Sequence, residues 1–190
     1  MKKIALLSIF ITGICFTQTG IVTRGPAMGL WFTAARTIEC DGCEPAIDLS
    51  YDIMTSSGFE IGLGLGIVGD YNSKFGHLTY HINPGGTNFA FGVGTAKTTH
   101  DDNSNWESQT DTYEIAMYDN QGFVFGVVHY EANGNDGEVL YVGKYRNVSD
   151  RTYLGFTYSI NYDTFDAMLE DLEIELLKYG SLSITYGGLF

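Results

Sequence analysis

The chain has 190 residues, of which 23 are acidic and 10 are lysine or arginine, so its formal net charge is −13. Such acidity argues against nucleic acid as a partner and against a polybasic surface that would bind anionic lipid headgroups. The length is sufficient for one domain of ordinary size.

The N-terminal residues have the composition of an export signal. Two lysines follow the initial methionine, and residues 4–16 are almost continuously apolar. A basic start before a short apolar run is typical of a secretory signal peptide, whereas a membrane-spanning helix needs roughly 20 apolar residues. We therefore predict a signal peptide over residues 1–19 and a single mature domain over residues 20–190.

Two cysteines, Cys40 and Cys43, enclose an Asp-Gly pair. An exported chain enters an oxidising compartment, where a local disulfide explains this spacing better than redox catalysis does. Two cysteines alone also fall short of a structural zinc site, which has four ligands. We therefore predict a disulfide between Cys40 and Cys43 that closes a loop.

Alternation with a period of two residues runs through the rest of the chain. In residues 59–67, Phe, Ile, Leu, Leu and Ile alternate with Glu and glycines. Successive side chains of a strand point to opposite faces, so one face of this segment is large and apolar and the other is small. Related segments predict ten strands in all. In chain order they are 28–36, 47–54, 59–67, 75–82, 89–96, 111–118, 122–131, 138–146, 154–162 and 182–187.

The connections between the predicted strands alternate in length. Short connections rich in Gly, Asn and Ser are typical of tight hairpins. Short turns at one end and longer loops at the other are typical of membrane barrels, and an even number of strands places both termini at the short-turn end. The predicted hairpins are 55–58, 83–86, 119–122 and 147–150, and the predicted longer connections are 37–46, 69–74, 98–110, 132–137 and 163–180.

The last long connection carries a second pattern. Large apolar residues within 164–179 recur at helical spacing, which predicts a short helix there. However, Leu172, Ile174 and Leu176 also alternate with two glutamates, as in a strand. A strand in this connection would make the strand count odd, so the helix is the preferred interpretation.

The second face of the predicted strands is mostly Gly, Ala, Ser and Thr. It also carries Glu60, His77, His81, Glu114 and Lys144. Soluble β-proteins usually expose more charge on their solvent-facing strands, whereas the lumen of a small membrane barrel is narrow and favours small side chains. We therefore predict that the apolar face contacts lipid and the small face lines the lumen.

The chain ends on Phe190 after an alternating segment that contains Ile184 and Tyr186. This ending resembles the terminal signal of outer-membrane β-barrel proteins that the barrel insertion machinery recognises, although Gly188 stands where that signal commonly has a large apolar residue. Together with the predicted signal peptide and strands, it makes the chain similar to the broad class of small bacterial outer-membrane barrels. The resemblance implies an antiparallel up-and-down transmembrane β-barrel in the bacterial outer membrane. Outer-membrane lipid and the barrel insertion machinery would then be its partners.

The connection after the fifth predicted strand holds the most chemically varied residues of the chain. They are His100, Asp101, Asp102, Trp106 and Glu107. We predict that this loop takes part in interactions, although the sequence names no ligand for it. The sequence contains no nucleophile elbow, phosphate-binding glycine loop or zinc-protease helix, so we expect neither catalytic residues nor a cofactor. An outer-membrane hydrolase with His and Asp at its rim is the alternative.

His77 and His81 lie on one face of the same predicted strand. Four residues along a strand span roughly 13 Å, which is too far for both imidazoles to bind one metal ion. We therefore interpret both histidines as polar residues of the lumen and predict no metal site.

These features predict an outer-membrane barrel with a structural role or with interactions mediated by its acidic loops. A second interpretation is a narrow, porin-like pore for small solutes, because small residues would line the lumen. The third is an exported soluble β-sandwich or barrel that buries its apolar faces and acts as a binding protein.

Overall fold

A computed structural model describes residues 28–37, 44–83, 87–103, 106–163 and 180–189. These residues form ten antiparallel strands in a closed barrel, in which each strand pairs with its neighbours in sequence and the first strand pairs with the last. The strands are β1 (Met28–Thr37), β2 (Ala46–Met54), β3 (Phe59–Val68), β4 (Tyr71–Ile82), β5 (Thr87–His100), β6 (Glu107–Asp119), β7 (Phe123–Ala132), β8 (Asn135–Ser149), β9 (Thr152–Asn161) and β10 (Ser181–Leu189). The predicted fold class and strand number are therefore confirmed.

The described turns lie at both ends of the barrel. At the terminal end, where β1 begins and β10 ends, short turns join β2 to β3, β6 to β7 and β8 to β9. At the opposite, loop end, where β1 ends and β10 begins, lie the two-residue turns 69–70 and 133–134, and β5 and β6 have their facing ends there. Among the described residues, no helix has the length and hydropathy needed to cross a membrane.

Two of the predicted long connections are wrong. Residues 69–70 and 133–134 are two-residue turns, because β4 and β8 begin earlier than predicted. Gly69, Asn133 and Gly134 adopt positive φ angles, which the tight return of the chain requires. The connection over 98–110 shortens to 101–106 because β5 ends later and β6 begins earlier than predicted. These strand ends are polar on both faces, so they lack the apolar alternation that marked the rest.

The apolar faces of the strands point out of the barrel. On β3, Leu63 is 67% exposed, whereas Glu60 on the same strand is 1% exposed. Soluble proteins show the opposite arrangement, and membrane-spanning barrels show this one. We call the outward ring of large apolar side chains the apolar belt. It includes Leu30, Phe32, Ile47, Leu49, Ile53, Ile61, Leu63, Leu65, Ile67, Leu78, Phe91, Val93, Ile115, Met117, Phe125, Val142, Phe156, Leu182 and Ile184.

Large side chains also fill much of the barrel interior. One cluster contains Tyr118, Tyr130, Tyr141 and Tyr145, and a second, at the terminal end, joins Trp31, Met54 and Tyr153. Glycines on neighbouring strands make room for these rings. A Cβ on Gly126 would lie 2.4 Å from the Tyr141 ring, and one on Gly187 would lie 1.9 Å from the Trp31 ring. The alternation of glycine with large residues therefore supplies the space for aromatic packing inside the barrel.

Lys144 does not lie in the lumen, where the sequence predicted it. It lies on the outer face of β8, where its Nζ is 3.4 Å from the centroid of the Phe123 ring. The inward positions of β8 are taken by Val139, Tyr141 and Tyr145, so here the large side chains face inward. Side-chain size alone was therefore a poor guide to the two faces of this strand.

Several predictions fall outside the described residues. They are the signal peptide over 1–19, the disulfide between Cys40 and Cys43, the helix over 164–179, and the terminal Phe190.

Candidate functional site

Ionisable side chains from four strands meet inside the barrel. Asp52 comes from β2, Glu60 from β3, His77 and His81 from β4, and Glu114 from β6. We call these five residues the lumen cluster. Asp52, Glu60, His77 and Glu114 are buried, and the His81 side chain is largely buried.

The register between strands brings Asp52 and His77 together. Asp52 pairs with Gly62 on β3, and Gly62 pairs in turn with His77 on β4. A Cβ on Gly62 would lie 2.1 Å from both Asp52 Oδ1 and His77 Cε1. The missing side chain of this glycine is therefore what lets the carboxylate and the imidazole approach each other across the middle strand.

Glu60 is the centre of the cluster. Its Oε1 lies 2.9 Å from His77 Nε2, and its Oε2 lies 3.0 Å from His81 Nε2. One carboxylate therefore engages both imidazoles, each through a separate oxygen. His77 Nε2 also lies 3.7 Å from Asp52 Oδ1, within ion-pair range but beyond hydrogen-bond length.

Tyrosine hydroxyls extend the network on two sides. His81 Nε2 donates to Glu60, which leaves His81 Nδ1 to accept a hydrogen bond from the Tyr118 hydroxyl at 2.8 Å. The Tyr141 hydroxyl donates to the Glu114 carboxylate. These contacts satisfy groups that would otherwise be costly to bury.

The barrel interior has an excess of acidic groups. Asp48, Asp52, Glu60 and Glu114 are all buried there. Every lysine and arginine in the described part of the chain is exposed or lies on the outer surface, so His77 and His81 are the only candidate cations of the described interior. Buried carboxylates without opposite charge are unfavourable, so these groups must share protons with histidine, bind protons or bind a cation.

Some buried polar atoms have no hydrogen-bond partner among the described residues. They include one oxygen each of Asp48 and Asp52, His77 Nδ1 and the Thr79 hydroxyl. Asp52, Glu60 and His77 each offer a ligand atom, and these three atoms all lie within 4.8 Å of one another. They are the described residues whose geometry could hold a metal ion.

The predicted interaction loop forms a separate group at the loop end. The Tyr71 ring packs edge-on against His100, at 4.6 Å between centroids, and against Trp106, at 5.1 Å. The side-chain amide of Asn72 donates a hydrogen bond to the Asp101 carboxylate. The structure thus brings His100 and Trp106 together against Tyr71 of β4, and none of these three residues belongs to the lumen cluster.

The remaining predicted residues have simpler surroundings. The Asp102 backbone N–H donates to His100 Nδ1 at 3.1 Å, and Glu107 forms an exposed ion pair with Lys97 at 2.8 Å. Ile184 and Tyr186 of the predicted insertion signal both face outward on β10.

The sequence identified Glu60, His77, His81 and Glu114 as lumen residues, and all four lie there. It did not identify Asp52. The signal was present in β2, where Asp48, Ser50 and Asp52 alternate with large apolar residues. No pattern within a single strand indicated that Asp52 would lie close to Glu60 and His77 on the neighbouring strands.

Similar proteins were found among solved structures. No protein-family model matches the sequence, and a search of curated proteins found no significant match. The barrel is similar to the N-terminal β-barrel domain of OprF from Pseudomonas aeruginosa, with 11% identity and a TM-score of 0.41, over 87% of this chain and 98% of that one.

Two further solved structures show a comparable similarity. The translocator domain of the autotransporter NalP from Neisseria meningitidis has 9% identity and a TM-score of 0.40, over 100% of this chain and 97% of that one. OmpT, an outer-membrane protein of Vibrio cholerae, has 12% identity and a TM-score of 0.36, over 83% of this chain and 64% of that one.

Proposed function

We propose that this chain is a non-conducting outer-membrane β-barrel that has a structural role or mediates interactions through its acidic loop end. The observation that carries the proposal is the inverted arrangement of the strands. Leucine and isoleucine side chains of β3 are exposed on the outside, while Glu60 and Asp52 are buried inside. An apolar surface of this extent is stable in lipid and would cause aggregation in water.

The dimensions of the barrel support the membrane location. The ten residues of β3 rise roughly 33 Å along the strand. A strand tilted by about 45° then covers about 23 Å of height, close to the apolar height of about 25 Å typical of outer-membrane barrels. The predicted signal peptide is consistent with export, so the proposal includes delivery to a bacterial outer membrane.

The outer surface above the apolar belt supports an interaction role. Towards the loop end of β4 to β8 the outward residues become polar, and most of the charged ones are acidic. They include Lys74, Lys97, Glu107, Asp111, Glu131, Asp136 and Glu138. With Asp101 and Asp102 in the adjoining loop, this surface would attract cationic groups in an ionic-strength-dependent manner.

The packed interior favours a closed barrel over the porin-like alternative. Tyr118, Tyr130, Tyr141 and Tyr145 are buried together inside the barrel, and the lumen cluster lies beside them. In barrels with few strands, side chains fill the lumen. A solute would have to displace hydrogen-bonded rings and carboxylates in order to pass.

The location is tested by expressing the full chain in a Gram-negative host and separating soluble from outer-membrane fractions. We expect the protein in the outer membrane, with gel migration that changes on boiling after detergent extraction. Recovery in the soluble periplasm with unchanged migration would contradict the proposal and support a soluble binding protein.

Conduction is tested with the purified barrel in planar lipid bilayers. We expect no single-channel events. Regular channel openings would overturn the non-conducting part of the proposal and favour the pore.

The interaction role is tested by binding of an oligolysine peptide to the barrel in vesicles. Binding should weaken with added salt and in the double variant Asp101→Asn, Asp102→Asn. Binding that does not depend on salt would contradict an electrostatic role for the loop end.

A further inference from the structure

We propose that Asp52, Glu60 and His77 bind one divalent transition-metal ion inside the barrel, with Zn²⁺ as the representative ion. The proposed ion lies in the barrel interior, apart from anything that the loop end binds. Four observations support it: the spacing of the ligand atoms, an unpartnered carboxylate oxygen, the charge of the interior and the hydrogen bonds around the ligands.

The spacing of the donor atoms suits a shared ion. Ligands that each lie roughly 2.0–2.2 Å from one metal ion are separated from each other by roughly 3–4 Å. His77 Nε2 lies 2.9 Å from Glu60 Oε1 and 3.7 Å from Asp52 Oδ1. All three donor atoms lie within 4.8 Å of one another. Small side-chain movements would therefore complete the coordination without moving the strands.

Asp52 supplies the second observation. Its Oδ1 is buried and has no hydrogen-bond partner in the described part of the chain, although the residue is only 1% exposed. This oxygen points over Gly62 towards His77, at the centre of the proposed site. Buried polar atoms nearly always have a partner, and a bound cation is one that a carboxylate oxygen accepts readily.

The third observation is the charge balance of the interior. Four buried carboxylates share the described lumen with two histidines and with neither lysine nor arginine. A divalent ion would neutralise Asp52 and Glu60 together. On binding, His77 Nε2 would give up the proton that it shares with Glu60, because a metal-bound imidazole nitrogen carries no proton. A neutral imidazole would then carry its proton on Nδ1, whereas an imidazolium would release one proton to solvent.

Outer hydrogen bonds are the fourth observation. The second oxygen of Glu60 is held by His81, and His81 is held in turn by the Tyr118 hydroxyl. Ligating carboxylates in metal sites are typically oriented by partners of this kind. The hydrogen bond from His81 would therefore hold the Glu60 carboxylate in place while Oε1 exchanges its contact with His77 Nε2 for a bond to the metal.

The donor set indicates the class of ion. One imidazole nitrogen and two carboxylates suit Zn²⁺, Mn²⁺ or Fe²⁺, whereas Ca²⁺ takes six to eight oxygen ligands and Mg²⁺ retains several waters. Three protein ligands are one fewer than a closed zinc site has, so a water molecule would complete the shell.

The test uses the full-length barrel in detergent after treatment with a chelator. We expect Zn²⁺ to bind with a stoichiometry of one and to be displaced by excess chelator, and Mg²⁺ to bind at least about 100-fold more weakly. Co²⁺ should give visible absorption bands of nitrogen and oxygen ligation. Absence of Zn²⁺ and Co²⁺ binding by the folded wild-type barrel would overturn the proposal.

Matched variants locate the site. Asp52→Asn should weaken Zn²⁺ binding by at least about 100-fold, because it removes a ligand. Asp48→Asn is the control, since Asp48 lies on the same strand and is equally buried but is outside the donor set. Equal losses in the two variants would contradict the assignment. A boiling-dependent shift in gel migration checks that each variant folds. If Asp52→Asn does not fold, the Co²⁺ spectrum of the wild type decides, because a spectrum without nitrogen ligation would exclude His77.

Discussion

The Tyr141 hydroxyl donates a hydrogen bond to the Glu114 carboxylate from β8 to β6, passing over the intervening strand β7. The contact is possible because Gly126 on β7 leaves space for the tyrosine ring. It ties together strands that are not adjacent, and thus links the packed aromatic half of the interior to the acidic lumen cluster.

Removal of this hydroxyl should destabilise the barrel. Tyr141→Phe keeps the ring but leaves the buried Glu114 without its donor, which costs about 1–3 kcal/mol. The free energy of unfolding, measured by urea titration of the barrel in lipid vesicles, should fall by that amount. Tyr113→Phe is the control because Tyr113 faces outward. Equal stability of Tyr141→Phe and the wild type would show that Glu114 does not depend on this bond.

A methyl group at Gly62 should disrupt the lumen cluster. In Gly62→Ala the new Cβ would meet Asp52 Oδ1 and His77 Cε1 at 2.1 Å, so one of the two side chains must move. Overpacking of this kind costs typically about 1–3 kcal/mol. The same urea titration measures it. Gly76→Ala on β4 is the matched control, since its Cβ would meet only a flexible leucine methyl at 3.0 Å and a backbone oxygen at 3.5 Å.

The apolar belt should tolerate charge poorly at its middle. Leu63→Arg places a cation in the centre of the belt, at a cost of about 2–4 kcal/mol in a bilayer, whereas Val148→Arg near the terminal end should cost at most about 1 kcal/mol. Equilibrium folding into lipid vesicles measures both. Similar values for the two variants would indicate that the outer face of β3 does not contact lipid.

The second histidine should tune metal affinity without being a ligand. His81→Asn removes the hydrogen bond to Glu60 Oε2, and outer hydrogen bonds of this kind typically contribute about 10–100-fold to metal affinity. Zn²⁺ titration of the folded variant should show a loss in that range. His129→Asn is the control, because His129 contacts Glu131 and Glu138 on the outer surface. Complete loss of binding in His81→Asn would make His81 a ligand in its own right.

The aromatic group at the loop end should hold the connection 101–106 in place. Trp106→Ala removes one of the two rings packed against Tyr71, so the connection should become more sensitive to added protease in reconstituted vesicles. Glu107→Gln is the control, since it alters only an exposed ion pair that contributes about 0–1 kcal/mol. Cleavage rates that match the wild type would show that Trp106 does not order this connection.

The sequence was informative where the structure depends on the alternation of side chains within a single strand. Alternation within single strands identified ten strands and correctly placed Glu60, His77, His81 and Glu114 in the lumen. It failed for Lys144, because aromatic residues occupy the inward positions of β8. The sequence also overestimated the length of the connections predicted at 69–74 and 132–137, because the strand ends beyond the apolar belt are polar on both faces.

The proposed metal site could not be predicted, because it depends on contacts between strands. The spacing of His77 and His81 along β4 led us to predict no metal site, yet both imidazoles reach the carboxylate of Glu60, so the separation along the strand overestimated the distance between their rings. The two carboxylates that complete the donor set come from β2 and β3, and they reach His77 only through the pairing of Asp52 with Gly62 and of Gly62 with His77. No pattern within one strand specifies that register.

The two-residue turns at 69–70 and 133–134 have a consequence for recognition. Because β4 to β8 continue as paired strands beyond the apolar belt, the acidic residues on their outer face are displayed from a hydrogen-bonded sheet. A partner that docks against this surface would meet side chains on a backbone already ordered. Association would therefore lose little conformational entropy from the chain, and specificity would depend on the fixed spacing of charges along the sheet.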